Sequence, residues 1–206
     1  MNKLKRLICC IIVSFLLGNV LFFSSTNSKA DNKSEYNIFV GDSRTVGMEK
    51  ALTDEEKENS FFVSKKGKGL VWLIDEGMDE IKEILEEGKT YNIFFMLGVN
   101  DLNNQSRYVK YFNQKGLKEL EGQNLYFVSV GPVMEDVLIE HGFKQRKNND
   151  IEKFNSYLRE NLNKKYTYID VYEELVNVEG FGTIDGLHYI PYTYTRIYSL
   201  IVDILE

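Results

Sequence analysis

Residues 93–97, Ile-Phe-Phe-Met-Leu, form an apolar run without polar alternation, and the polar sequence Gly98-Val99-Asn100-Asp101 follows it directly. Uninterrupted apolar strands are typical of parallel sheets, because helices cover both faces of such a sheet. The run therefore predicts a buried strand of a parallel sheet, with polar groups at its carboxyl end.

Further short apolar segments predict strands at Ile38–Val40, Phe61–Val63, Leu125–Val130 and Tyr166–Val171. Amphipathic stretches separate the strands. The clearest one has apolar residues at three- and four-residue spacing from Leu70 to Leu85, and Gly88 is placed to end that helix. Other helices are predicted to start near Ser106, Asn149 and Pro191.

Strand and helix alternate five times, which predicts one α/β domain, a three-layer α/β/α sandwich around a five-stranded, mostly parallel sheet. We place this domain at residues 31–206, because no internal repeat, low-complexity tract or proline-rich linker divides it. The segment 134–149 is predicted to be either a surface loop over a site or a loop that contains a short helix.

The first thirty residues differ in character from the rest of the chain. Three basic residues between positions 3 and 6 precede an uncharged run from Leu7 to Phe23, and a small-residue stretch ends at Ala30. This order is typical of a secretory signal peptide, so we expect residues 1–30 to be removed and the domain to be secreted. An uncleaved membrane anchor is the alternative, since the run is at the short end of what spans a bilayer.

Composition excludes several kinds of site. Both cysteines, Cys9 and Cys10, lie in the leader, so the domain has no disulfide or cysteine-ligated metal site. The two histidines are far apart in sequence, and we expect no metal and no cofactor. Without the leader the chain has 25 − 4 = 21 basic and 31 acidic residues, and this balance of −10 argues against a nucleic-acid partner.

Three polar motifs are expected at one edge of the sheet, where the carboxyl ends of parallel strands form the active crevice. Gly41-Asp42-Ser43 follows the first strand, Gly98-Val99-Asn100-Asp101 follows the third, and Asp185-Gly186-Leu187-His188 precedes the last helix. Taken singly, each motif has an ordinary explanation as a helix cap, a turn or a surface hydrogen bond. Their joint occurrence favours a common site.

Together these motifs resemble those of the SGNH hydrolase (GDSL-type esterase) superfamily, whose sequence blocks are named for Ser, Gly, Asn and His. Ser43 matches the first block, Asn100 the third, and Asp185 and His188 the last. The resemblance extends from Val40 to the C-terminus and implies a flavodoxin-like SGNH hydrolase fold.

The second block should supply a glycine after the second strand, and Lys65-Lys66-Gly67-Lys68-Gly69 contains two. Gly69 is the preferred match because it immediately precedes a predicted helix, and Gly67 is the alternative. Arg44 stands where many members of the superfamily have a hydrophobic residue, so substrate preference does not transfer to this chain by analogy.

The resemblance implies a serine esterase with Ser43 as nucleophile, His188 as its base and Asp185 as the group that orients the imidazole. It also implies an oxyanion hole formed by the N–H groups of Ser43 and Gly69 and by the side-chain amide of Asn100. A serine hydroxyl needs such a base, and imidazole titrates near neutral pH.

The export signal favours an extracellular substrate, so we expect removal of small acyl groups, such as O-acetyl, from a carbohydrate. The expected partner is thus a small acyl ester or an acylated glycan. An O-acyltransferase that uses the same acyl-enzyme is an alternative. A non-catalytic glycan-binding module is a second one, although a binder has no need of Ser43, Asn100, Asp185 and His188 together.

Three other features each have a structural and a functional interpretation. His141 lies in the segment 134–149, where a solvent-facing histidine is the simpler explanation. The lysines of residues 65–68 are either a solvated loop or a group that attracts an acidic substrate. The tyrosines of residues 189–194 either pack in the core or form a wall for sugar stacking.

Overall fold

The structure, a computed structural model of the chain, describes residues 36–142, 146–177 and 181–205. The predicted leader, residues 1–30, lies outside the described residues, so its cleavage and the predicted export remain expectations. Within the described ranges, no helix has the length and apolar character needed to cross a bilayer.

Five strands form one sheet in the order β2-β1-β3-β4-β5, and all four neighbouring pairs are parallel. The strands are β1 (Tyr36–Gly41), β2 (Ser60–Ser64), β3 (Tyr91–Met96), β4 (Asn124–Val128) and β5 (Tyr166–Ile169). The apolar run that predicted a buried strand is β3, at the centre of the sheet. The prediction of a five-stranded parallel sheet is confirmed.

Helices follow the strands. They are α1 (Ser43–Ala51), α2 (residues 70–84), α3 (residues 105–119), α4 (Glu135–Glu140), α5 (Asn148–Asn161), α6 (Val171–Val176) and α7 (Pro191–Val202). A π-helical segment interrupts α2 at Leu73–Gly77 and α3 at Phe112–Gly116. Short 3₁₀ turns, Leu102–Asn104 and Asp203–Leu205, lie before α3 and after α7.

Some boundaries differ from the sequence prediction, for identifiable reasons. The last strand ends at Ile169 and not at Val171, because the Asp170 side chain accepts a hydrogen bond from the backbone N–H of Glu173 and so caps α6. Ser106 does not cap α3, because the 3₁₀ turn before the helix makes Gln105 its first residue.

The helices cover both faces of the sheet, which confirms the three-layer architecture. Helices α2, α3 and α5 pack on the face that carries Ile93 and Phe95. Helices α1, α6 and α7 pack on the face that carries Phe39 and Phe94. Side chains alternate between the faces along each strand, and in the central strands both sets are apolar.

Two ladders of side chains fix the register of the strands on the α1/α7 face. Phe62, Phe39, Phe94 and Tyr126 stack across four strands with centroid separations of 5.2, 5.0 and 4.6 Å. Toward the amino ends of the strands, Asn92 donates to Asn37 and accepts from Asn124. With register fixed in this way, the carboxyl ends of β1, β2 and β3 meet at one edge.

Candidate active site

Ser43 lies at the point where β1 gives way to a helix. The strand ends at Gly41, Asp42 is the cap of α1, and Ser43 is the first helical residue. The Asp42 carboxylate accepts a 2.9 Å hydrogen bond from the backbone N–H of Arg44. The hydroxyl of Ser43 therefore lies at a helix N-terminus, where unpaired N–H groups favour developing negative charge.

The turn Asp185-Gly186-Leu187-His188 holds its own imidazole in place. One oxygen of Asp185 accepts hydrogen bonds from the backbone N–H groups of Leu187 and His188, at 3.0 and 2.7 Å. The other oxygen lies 2.7 Å from Nδ1 of His188. The backbone N–H of Ile184 donates to the carbonyl of His188 at 2.7 Å, which closes the loop around this turn.

Nε2 of His188 lies 3.0 Å from Oγ of Ser43, although 145 positions separate the two residues. Because an ionised carboxylate only accepts hydrogen bonds, Nδ1 carries the proton toward Asp185 and Nε2 is left to accept from the serine. Partial burial opposes ionisation of Asp185, but its hydrogen bonds from the His188 ring and from two backbone N–H groups outweigh that effect and lower its pKa. The carboxylate therefore stays charged and keeps the imidazole oriented.

Asn100 follows β3, and both ends of its amide are fixed. Its Nδ2 donates to the carbonyl of Lys68 at 2.9 Å, and its Oδ1 accepts from the Arg146 guanidinium at 3.1 Å. Arg146 also donates through Nε to the carbonyl of Val99 at 3.0 Å. An amide nitrogen has two N–H groups, so one remains for a ligand while the oxygen end is occupied by Arg146.

Ser43, His188 and Asn100 line a single cleft of about 560 Å³. Gly67 lines the same cleft, whereas Gly69 lines a neighbouring depression beside Asp101. The alternative sequence match, Gly67, therefore lines the cleft of Ser43, while the preferred match, Gly69, shares the neighbouring depression with Gly67 and Asn100. In the loop after β2, Gly67 has φ +70° and Gly69 is the residue before α2.

Gly69 also packs closely against Asp101. A Cβ atom at this position would lie 2.4 Å from a carboxylate oxygen of Asp101. That carboxylate accepts hydrogen bonds from the backbone N–H of Leu70 at 3.0 Å and from the Tyr108 hydroxyl at 2.7 Å. Burial raises the pKa of Asp101. Asp101 thus ties the start of α2 to α3.

Arg44 lies behind the cleft and does not line it. Its side chain is only 8% exposed and donates to the carbonyls of Gly131, Pro132 and Leu187 at 2.8–3.0 Å. The guanidinium also lies 4.6 Å from the centroid of the Tyr189 ring. The side chain of Arg44 therefore points into the protein, where it contacts the backbone of Leu187 and the ring of Tyr189, two residues that line the cleft.

Of the other residues singled out from sequence, His141 lies apart from this site, whereas Tyr189 and Tyr194 line its cleft. His141 is exposed at the end of α4 and does not line the cleft. Tyr189 and Tyr194 are buried, which supports the packing interpretation, and Tyr192 is exposed. The described residues contain no group of three or more side chains that could together hold a metal ion.

Sequence reasoning missed two cations that line the cleft. Arg146 comes from the segment 134–149, which contains the short helix α4 and then returns to the site. Lys50 lies in the last turn of α1. The spacing from Ser43 to Lys50, seven residues, is the signal that finds Lys50 once α1 is recognised. Arg146 has no such local signal.

Comparisons with known proteins match the fold. Neither a protein-family model nor a curated protein sequence matches this chain. Among solved structures, a lipase/acylhydrolase from Enterococcus faecalis aligns with a TM-score of 0.60 at 19% identity, over 82% of this chain and 95% of that one. The catalytic domain of peptidoglycan O-acetyltransferase A from Streptococcus pneumoniae aligns with a TM-score of 0.56 at 16% identity, over 82% and 92%.

A candidate SGNH hydrolase from Slackia heliotrinireducens aligns with a TM-score of 0.63 at 11% identity, over 84% of this chain and all of that one. The aligned lengths show that the likeness covers the whole domain and not a single motif. This chain therefore has the fold of the SGNH hydrolases, with a Ser–His–Asp constellation at the carboxyl edge of its sheet.

Proposed function

We propose that this protein is a serine esterase that removes small acyl groups, in particular O-acetyl, from an extracellular carbohydrate. The observation that carries the proposal is the 3.0 Å separation between Nε2 of His188 and Oγ of Ser43. That distance is within hydrogen-bond range, as a nucleophile and its general base require.

The reaction follows from where charge develops. His188 accepts the proton of Ser43 as Oγ bonds to the ester carbonyl carbon, and Asp185 stabilises the imidazolium that forms. The tetrahedral intermediate collapses, the carbon–oxygen bond to the alcohol breaks, and His188 gives its proton to the departing oxygen. Water then attacks the acyl-enzyme with His188 again as base, which releases the acid and restores the serine.

Negative charge on the carbonyl oxygen of the intermediate needs preorganised donors. We assign this role to the backbone N–H of Ser43, the backbone N–H of Gly67 and Nδ2 of Asn100. Gly67 replaces Gly69 in the assignment because Gly67 lines the cleft that contains Ser43. The bonds from Asn100 to Lys68 and Arg146 support it, since they hold the nitrogen of the amide in one orientation.

An acyltransferase is the second candidate. It is favoured by the structural similarity to a domain described as a peptidoglycan O-acetyltransferase catalytic domain. The same acyl-enzyme would form, and a sugar hydroxyl would replace water in the second step. Product analysis with and without an acceptor glycan separates the two, because hydrolysis releases free acid whether or not acceptor is present.

The test of the proposal is turnover of 4-nitrophenyl acetate by residues 31–206 and by the Ser43→Ala variant. We expect the variant to keep its fold, measured by circular dichroism, and to lose turnover. A matched control is Ser106→Ala, because Ser106 is an exposed serine on α3 away from the cleft. Full activity in Ser43→Ala would refute the proposal.

A further inference from the structure

The charged residues that line the cleft all have the same sign. Among the residues that the structure describes, they are Lys50, Lys66 and Arg146, and no described carboxylate lines the cleft with them. The chain as a whole has the opposite balance, with 31 acidic and 25 basic residues. A cationic cleft attracts an anionic substrate and raises its local concentration. It has no such effect on a neutral substrate.

Three carboxylates close to the candidate catalytic residues do not line the cleft. Asp42 is buried behind Ser43 and pairs with the backbone N–H of Arg44, and Asp101 is hydrogen-bonded to Leu70 and Tyr108. Asp185 is held by the backbone and ring of the His188 turn. None of these three acids lines the cleft, so the charged side chains that border a bound substrate are the cations.

The lysines of the cleft also differ from their neighbours in pairing. Lys65, next in sequence, forms an ion pair with Glu76 on α2. Among the residues that the structure describes, Lys50 and Lys66 form no ion pair, and both are exposed. Their ammonium groups are therefore accessible to a ligand without breaking an existing pair.

The positions of the cations relative to Ser43 indicate where the anion lies. Ser43, Gly47 and Lys50 share one face of α1, and seven residues of helix span about 10 Å. Lys66 precedes Gly67 in the loop over the cleft, and Arg146 lies beside Asn100. The cations thus surround the site of attack and extend beyond it along the carrier of the acyl group.

We propose that the acyl group is removed from an anionic carrier, a saccharide with a carboxylate or phosphate near the esterified hydroxyl, and that Lys50, Lys66 and Arg146 bind this anion. This inference rests on the proposed esterase function and adds the class of substrate. An exposed cation about 9 Å from an anion contributes roughly twofold in water, so the three together favour an anionic ester by roughly tenfold at low ionic strength.

The experiment compares 4-acetoxyphenylacetate with 4-acetoxyphenylacetamide, which present the same acetyl ester and differ in one negative charge. In the wild-type enzyme, kcat/KM for the anionic ester should exceed that for the neutral ester by roughly tenfold at 20 mM salt. The ratio should fall toward one at 1 M salt, where the screening length is about 3 Å. A ratio at or below one at low salt overturns the inference.

The variant is Lys50→Gln/Lys66→Gln, and the matched control is Lys110→Gln/Lys118→Gln, two exposed lysines on α3 outside the cleft. The ratio should drop about fivefold in the first and stay at the wild-type value in the second. An equal drop in both indicates a general charge effect and contradicts a cationic binding site. The salt dependence of the wild-type ratio tests the inference without relying on either variant.

Three acetylated sugars identify the anion. O-acetyl glucuronic acid carries a carboxylate, O-acetyl glucose 6-phosphate carries a phosphate, and O-acetyl glucose is neutral. Preference for either anionic sugar over the neutral one supports the proposal and identifies the group. Equal turnover of all three contradicts the inference while the esterase function stands, whereas absence of turnover of every ester, activated ones included, contradicts the esterase function itself.

Discussion

The guanidinium of Arg44 donates to the carbonyl of Leu187, 143 positions along the chain and adjacent to His188. The residue after the candidate nucleophile therefore holds the loop that carries the candidate base. The same guanidinium donates to two carbonyls of the loop after β4, at Gly131 and Pro132. Arg44 thus links three segments behind the cleft: α1, the loop after β4 and the loop that carries His188. Its guanidinium donates to a total of three backbone carbonyls in the two loops.

Replacing Arg44 should uncouple Ser43 from His188. Arg44→Met removes three buried hydrogen bonds; the carbonyl of Pro132 keeps the Tyr189 hydroxyl as a donor, but those of Gly131 and Leu187 lose the Arg44 donor, and each such loss costs about 1–3 kcal/mol. We expect the urea unfolding free energy to fall by roughly 3 kcal/mol or more. We also expect kcat for 4-nitrophenyl acetate to fall while KM changes little, because the side chain does not line the cleft.

Arg44→Lys is the informative companion to Arg44→Met. Lysine keeps the charge but cannot reproduce the planar fork that reaches three carbonyls. Its stability and kcat should lie between those of wild type and Arg44→Met. Wild-type kinetics in Arg44→Met would mean that the loop of His188 is positioned without this residue.

Asn100→Ala should lower kcat by about a hundred- to a thousandfold, the usual effect of removing one oxyanion donor. The reason is the loss of the Nδ2 group that lines the cleft. The measurement is steady-state turnover of 4-nitrophenyl acetate. The control is Asn104→Ala, on the 3₁₀ turn just beyond and outside the cleft lining, which should keep near-normal turnover. A change of less than threefold in Asn100→Ala argues against an oxyanion role.

Much of the fold can be predicted from local sequence, because the central strands are apolar on both faces. The apolar run at residues 93–97 predicted the central strand, and the other apolar runs predicted the remaining four strands. Helix α1 has no comparable signal. Its buried residues are Arg44, Thr45 and Met48, so two polar side chains face the interior and the usual apolar periodicity is absent.

The site could be predicted in part. Ser43, Asn100, Asp185 and His188 follow strands or precede a helix, and that placement brings them to one edge of the sheet. The choice between Gly67 and Gly69 depends on the dihedral angles of a loop, and the approach of Arg146 depends on how a long segment returns to the core. Neither property is encoded in a short pattern of residue types.

The two glycines should respond differently to alanine. In Gly69→Ala the new methyl group would lie 2.4 Å from an oxygen of Asp101, so that carboxylate and its bond to Leu70 must shift. We expect a loss of unfolding free energy of about 1–3 kcal/mol. In Gly67→Ala the added Cβ has open space around it. We expect a loss of unfolding free energy of about 1–2 kcal/mol, because alanine is strained at φ +70°.

The effect of the two glycine variants on kcat should have the opposite order to their effect on stability. Gly67 lines the cleft that contains Ser43, whereas the methyl group of Gly69→Ala faces Asp101. We expect the larger fall in kcat in Gly67→Ala, measured at a temperature where both variants are folded. The reverse ranking would return the oxyanion role to Gly69.

Asp42 should make stability decrease as pH rises from 4 to 7. Burial raises its pKa from the ordinary 3.8 to about 6, against the opposing bond and charge of Arg44. Between these values the unfolded chain releases the proton while the folded chain keeps it, so the contribution of Asp42 is present at pH 4 and lost as pH passes 6. This difference between the folded and unfolded pKa corresponds to about 3 kcal/mol of unfolding free energy.

The measurement is the difference in unfolding free energy between wild type and Asp42→Asn across this pH range. Asparagine still accepts from the N–H of Arg44 through its amide oxygen, and it does not titrate. Relative to the variant, wild type should lose stability as pH rises. A difference that is flat with pH, or that grows in favour of wild type, would contradict the account of Asp42.

Covalent labelling by a fluorophosphonate tests most directly whether His188 activates Ser43. If His188 activates Ser43, one phosphonyl group is added per chain at near-neutral pH, on the peptide that contains Ser43. Ser43→Ala should then remain unlabelled, and His188→Gln should be labelled at least a hundredfold more slowly. Labelling of His188→Gln at the wild-type rate, or a label at another residue, would contradict this activation.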